Sequence, residues 1–102
     1  VTVLTPTQAE EAVARGAELL DLHEPGWESK ITLETLNIES ARSCVLGQVF
    51  GNYWNYDAWT RMGIPDVEKR EWYGFTLEEK RSEGMKVLTA AWKGFVRRRR
   101  QR

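Results

Sequence analysis

The chain contains one cysteine and one histidine. A lone thiol excludes an intrachain disulfide framework, and the two residues together exclude structural zinc sites built from four Cys and His ligands. So sparing a use of cysteine fits an intracellular compartment. Long apolar runs are also missing. None approaches the roughly 20 residues that span a bilayer, and no basic segment followed by an apolar one opens the chain. These absences predict a soluble, cytoplasmic protein that is neither exported nor bound to a membrane. Val1 stands where an initiator Met would, which points to a trimmed terminus. No internal repeat and no low-complexity block occurs before the arginines at the end of the chain.

Net charge is absent as well, but its distribution is uneven. Residues 1–40 carry eight acids against Arg15 and Lys30, a balance of minus six, whereas residues 41–102 carry thirteen bases against seven acids, a balance of plus six. Such a split predicts either neutralisation within the fold or two surfaces for partners of opposite sign. Aromatic residues are what the chain has in quantity: five Trp, three Tyr and three Phe in 102 residues. A chain of this length folds around one core, and each ring can bury about 150 to 250 Å². An aromatic-rich core is expected, with Trp27, Phe50, Trp72, Trp92 and Phe95 among its rings.

Local signals predict an all-α, mostly helical domain over residues 1–96, followed by a basic tail at 97–102. Thr5-Pro6-Thr7-Gln8 combines a hydroxyl cap, proline at the first helical position and a capping-box glutamine. A helix should therefore run from Pro6 to Leu22 or His23, burying Ala9, Val13, Gly16, Ala17 and Leu20 and presenting an acidic outer face. Pro25-Gly26 ends it. Ile31, Leu33, Leu36 and Ile38 fit neither alternation nor a helical stripe, so short turns clamped by Trp27 are expected there. A second main helix should start at Ser40 or Ser43 and carry Val45, Leu46, Val49 and Phe50 inward, with the first and last helices packed around it. Asp57 can cap a brief helix ending at Gly63, and a polar linker follows. Glu71 to Phe75 reads as a loop or a short strand. Thr76-Leu77-Glu78-Glu79 forms a second capping box ahead of the longest helix, whose stripe is Met85, Leu88, Ala91, Trp92 and Phe95.

The segment Cys44-Val-Leu-Gly-Gln-Val-Phe-Gly51 places two glycines on one helical face, a spacing at which another backbone or ring approaches closely. Taken with Leu19-Leu20-Asp21, Pro25-Gly26-Trp27, the spaced apolar residues from Ile31 to Ile38, Tyr73-Gly74-Phe75 and Leu88-Thr89-Ala90-Ala91-Trp92, it resembles a group of small proteins of unknown function encoded by phages of actinobacteria and by prophages in their hosts. The resemblance spans about residues 8 to 96. It implies a phage or prophage origin and a bacterial cytoplasm, and it supplies no catalytic residues.

Candidate chemistry is thin. Cys44 near a helix start is the only candidate nucleophile and His23 its only possible histidine base, but free cysteine more often packs in a core. Asp21, His23 and Glu24 are adjacent in sequence, so their side chains diverge and make a poor metal site. Gly47-x-x-x-Gly51 lacks the Lys-Ser or Lys-Thr of a phosphate loop. No cofactor is implied, and the chain reads as non-catalytic.

Two candidate surfaces remain. Tyr53, Trp54, Tyr56 and Trp59 crowd four rings into seven residues with only Arg61 nearby, which suits a protein interface or a core better than base stacking. Lys93, Arg97, Arg98, Arg99, Arg100 and Arg102 form an acid-free run that suits phosphate contact or a solvated helix end. About five phosphate contacts would give a salt slope near minus 4.5, roughly a 500-fold loss of affinity between 50 and 200 mM salt. The leading expectation is a protein-binding module. Sequence-independent nucleic-acid binding is the alternative.

Overall fold

The computed structural model describes residues 4–77 and 83–101. Its elements are α1 (Pro6–His23), a 3₁₀ turn (Trp27–Lys30), α2 (Val45–Phe50), α3 (Tyr56–Met62), α4 (Val67–Trp72) and α5 (Glu83–Arg100). The fold is all-α. No strand forms among the described residues, and no helix there is long and apolar enough to cross a membrane.

α1 begins as its capping box dictates. The Thr5 hydroxyl accepts from the Gln8 N–H at 3.1 Å, and the Gln8 amide oxygen accepts from the Thr5 N–H at 3.0 Å. Ala9, Val13, Gly16, Ala17 and Leu20 line its buried face as expected. The Glu24 N–H closes the helix on the Leu20 carbonyl, and Gly26, at φ +83°, turns the chain so that Trp27 enters the core fully buried. Residues 31–44 form successive turns that bury Ile31, Leu36 and Ile38. They are tied down by the Ile38 N–H on the Thr89 hydroxyl and by the Gln48 side chain, which brackets Thr32 and reaches the Ser43 carbonyl.

The second helix starts later than Ser40 or Ser43. Ser40 instead accepts from the Ser43 N–H within a turn, and the cap of α2 is Cys44, whose sulfur accepts from the Gly47 N–H at 3.2 Å. The two glycines of α2 have different roles. A Cβ on Gly47 would lie 2.3 Å from the Ala41 carbonyl oxygen, whereas Gly51, at φ +91°, ends the helix in open space. α1 and α5 do not pack around α2. They form the molecule's most extensive helix pairing directly, and α2 lies against the 3₁₀ turn.

Two further expectations are corrected around residues 55–72, and the choice between loop and strand at 71–75 is decided against the strand. α3 is capped by Asn55, whose side chain accepts from the Ala58 N–H, and Asp57 occupies the first turn instead. The expected linker holds α4, with Asp66 at its cap position. Residues 71–75 make no strand, because the Tyr73 and Gly74 N–H groups bond back into α4 and Gly74 adopts φ +74°. This geometry turns Trp72 outward, 58% exposed, and Phe75 takes the core place expected for it.

α5 buries Met85, Leu88, Trp92 and Val96, while Ala91 and Phe95 pack half-buried against the core, as Phe50 does. The capping box at Thr76–Glu79 extends outside the described residues at Glu78 and Glu79. Trp92 is fully buried at the centre. It stacks on Phe75 with centroids 5.7 Å apart, meets Trp27 edge-on at 5.9 Å, and donates its indole N–H to the Gly74 carbonyl at 2.6 Å. Gly16 makes this approach possible: a Cβ there would fall 2.1 Å from the Tyr73 carbonyl oxygen and 3.0 Å from the Trp92 ring. Gly16→Ala should therefore cost about 1–3 kcal/mol through overpacking, although alanine is the better helix former. Gly26→Ala, strained in φ but sterically open, should cost nearer 1 kcal/mol. Urea unfolding midpoints for the two variants check this order.

Candidate functional site

The four-ring segment divides into an inner and an outer pair. Tyr53 and Trp59 are buried, while Trp54 is 48% and Tyr56 64% exposed. Trp59 is the hub, since its ring centroid lies 5.3 Å from Tyr53, 5.6 Å from Trp54 and 4.9 Å from Tyr56, with the Tyr56 ring almost perpendicular to it. Its indole N–H is buried and has no acceptor among the described residues.

Arg70, on α4, holds the inner pair in place. Its guanidinium lies 3.7 Å from the Trp59 ring centroid, and its Nε donates to the Tyr53 hydroxyl at 2.9 Å. Its Nη1 donates to the Ile64 and Pro65 carbonyls at 2.9 and 2.7 Å. Arg70 is only 6% exposed. A buried guanidinium is costly unless its donors are met, and here carbonyls, a phenol and a ring face meet them. Sequence reasoning passed over Arg70 because it occurs in a run of polar residues that looks like linker. Only the helical register of Val67–Trp72, which turns one residue of that run inward, would have marked it.

The arginines of the last helical turn also divide. Arg99 Nη1 contacts Asp21 Oδ1 at 2.7 Å and Glu28 Oε2 at 3.0 Å, and Trp27 Nε1 donates to the same Asp21 oxygen at 2.9 Å. The Arg99 guanidinium also lies 4.8 Å from the Phe95 ring centroid. Arg100 donates to the Glu28 and Ile31 carbonyls. The base-rich end of the chain thus closes on the acid-rich beginning. Arg97 and Arg98 are exposed and have no ion-pair partner among the described residues. Lys93 is half-buried one turn earlier, and Arg102 lies outside the described residues. Partial burial alone would raise the Asp21 carboxyl, but hydrogen bonds from Arg99 and Trp27, together with the Arg99 charge, hold it below its ordinary value.

Cys44 and His23 are not brought together by any hydrogen bond. The thiol is buried at the α2 cap and burial pushes its pKa up, the reverse of an activated nucleophile. Asp21, His23 and Glu24 do not converge on a common point. Asp21 is bound by Arg99 and Trp27, while Glu24 reaches Lys30 at 3.8 Å and Arg61 at 3.4 Å. The chain matches no protein-family model, no curated protein and no solved structure.

Two predictions follow from this geometry. Because the Asp21 pKa is lower folded than unfolded, its pairing with Arg99 adds stability above the unfolded carboxylate value of about 3.9, and that contribution disappears as pH falls through the folded value. Arg99→Gln should therefore lose on the order of 1 kcal/mol near pH 7, with the gap to the parent protein narrowing as pH falls below the ordinary carboxylate range, as read from urea unfolding across pH. Cys44 should resist Ellman's reagent in the native protein and react at the ordinary rate only in denaturant. Rapid native labelling at pH 7 would contradict its placement.

Proposed function

We propose that this chain is a non-catalytic binding module of the bacterial cytoplasm that engages a protein partner through Trp54 and Tyr56. One observation carries the reading: two large rings stand exposed on a base that is already immobilised by Trp59, Tyr53 and Arg70. Exposed Trp and Tyr side chains are the residue types most enriched at interface hot spots. Rings fixed before binding lose little conformational freedom when a partner covers them. The buried, unactivated thiol supports the non-catalytic part. The bacterial setting, and a phage or prophage origin, rest on the resemblance of the Cys44–Gly51 segment and its companions.

A second reading is favoured by the two adjacent, exposed arginines at the end of α5. Arg97 and Arg98, with Lys93, could contact a nucleic-acid backbone where the helix dipole already favours basic side chains. Arg99 and Arg100 are engaged by residues 21–31, so the contacts from Lys93, Arg97 and Arg98 number about three rather than five. The salt slope then falls to about minus 2.7, roughly a 40-fold loss between 50 and 200 mM salt.

Capture of the tagged protein from bacterial lysate, with and without nuclease, separates the two readings. The expected result is a defined protein that survives nuclease and is lost at least about tenfold with Trp54→Ala/Tyr56→Ala, a double variant that stays folded although the lost ring contacts lower its stability by about 1–3 kcal/mol. Material that vanishes on nuclease treatment and on Arg97→Ala/Arg98→Ala would replace the first reading with the second.

A further inference from the structure

A second exposed apolar surface shares no residue with the aromatic segment. Leu22, near the end of α1, is 74% exposed, and Trp72, at the end of α4, is 58% exposed. Both line an open groove of about 670 Å³ whose apolar wall is completed by Leu19 and Tyr73. Trp72 is fixed in place: the Arg15 guanidinium lies 3.6 Å from its ring centroid, and Arg15 Nε donates to the Trp72 carbonyl at 2.9 Å.

The charges around the groove define what it can receive. Arg15 keeps its positive charge over the Trp72 ring, whereas Asp21, also on the lining, is neutralised by Arg99. Glu18 remains on the lining without an ion-pair partner among the described residues. Glu11 lies seven residues before Glu18 on the same helical face, and Glu68 lies four before Trp72 on α4, both exposed. Against these three carboxylates stand Arg15 and the exposed Lys69 of α4, so the border is negative by one charge. An apolar patch with a net-negative border complements a segment that is apolar at its centre and basic at its flanks.

A second copy of this chain fits poorly as the occupant. Its own base-rich segment has Val96 fully buried and Phe95 packed on Trp92, so it has no apolar anchor to offer. An anionic lipid surface is repelled by the same carboxylates. We propose that this groove binds a short segment of another protein that carries leucine-sized side chains flanked by lysine or arginine. The apolar side chains cover Leu22 and the Trp72 ring, and the flanking bases face Glu18 and Glu11.

The test titrates the ¹⁵N-labelled full chain, to millimolar ligand, with the acetylated and amidated hexapeptides KRLLRK and EELLEE. Saturable shifts of the Leu19 and Leu22 amides and the Trp72 indole N–H are expected with the basic peptide, with binding at least about tenfold weaker for the acidic one. Leu22→Ala and Trp72→Ala should each weaken the basic peptide about tenfold, and Glu18→Gln about threefold with a reduced salt dependence. Leu22 is exposed enough for its variant to remain informative should Trp72→Ala fold poorly. The proposal is overturned if the basic peptide gives no saturable shift, if both peptides bind equally, or if the shifts centre on Trp54 and Tyr56. Groove shifts that grow with the protein's own concentration and are blocked by the peptide would likewise overturn it and make a second copy the occupant.

Discussion

The indole of Trp92 needs three things at once: an acceptor for its buried N–H, a flat neighbour for its face, and room on α1. Gly74 supplies the acceptor, Phe75 the neighbour and Gly16 the room. Each depends on the others. The Gly74 carbonyl reaches the indole because the chain turns back at φ +74°, and that turn lies against the Ala12–Val13 backbone, which a Cβ on Gly74 would meet at 3.1–3.2 Å. An unmet indole N–H in this position would cost about 1–3 kcal/mol, a large share of a small domain's stability. The pairing of α1 with α5, the turn after α4 and the insertion of Trp27 therefore stand or fall together around one ring.

The same pairing resolves the uneven charge of the chain. Once α5 lies along α1, its last turn falls beside the end of α1 and the Pro25–Trp27 turn. Arg99 there finds two carboxylates, and Arg100 donates to the Ile31 carbonyl and to the Glu28 carbonyl, which also accepts from the Ile31 N–H. Asp21, Glu24 and Glu28 of the acidic part thus pair with Arg99 and Arg61 of the basic part. A run of arginines in sequence overstates the positive surface it creates, because helical geometry sends consecutive residues about 100° apart and only some of them to solvent.

How far the sequence could be read depended on whether the deciding interaction was local. The start of α1, its buried stripe and its break at Pro25–Gly26 follow from neighbours within a few residues and appear as expected, as do Met85, Leu88 and Trp92 of the α5 stripe, although Val96 takes the buried place expected for Phe95. Trp72, α4 and the cap of α2 do not. Trp72 has the composition of a core residue, and its outward direction is set by the turn at Gly74, which in turn depends on Ala12 and Val13 some sixty positions away. Ser40 is as good a helix cap as Cys44 by type, but it is taken up by a turn that brings the Ala41 carbonyl against Gly47. In the aromatic segment the density of rings was legible, whereas their division into buried Tyr53 and Trp59 and exposed Trp54 and Tyr56 was not. That division is made by Arg70, from a helix whose sequence resembles a linker.

Both exposed ring surfaces share one construction: a guanidinium stacked on an aromatic face. Arg70 lies 3.7 Å from the Trp59 centroid beneath Trp54 and Tyr56, and Arg15 lies 3.6 Å from the Trp72 centroid. Such stacking contributes about 0.5–2 kcal/mol, depending on desolvation, and it acts on orientation as much as on stability. A free surface Trp loses rotamer freedom when a partner covers it, while one already held by an arginine has lost that freedom on folding. The arrangement costs the isolated domain exposed apolar area that a monomer has no use for. If both proposals hold, the two surfaces would suit different partners, since one is aromatic and the other apolar with a net-acidic border, and a partner suited to one is not thereby suited to the other.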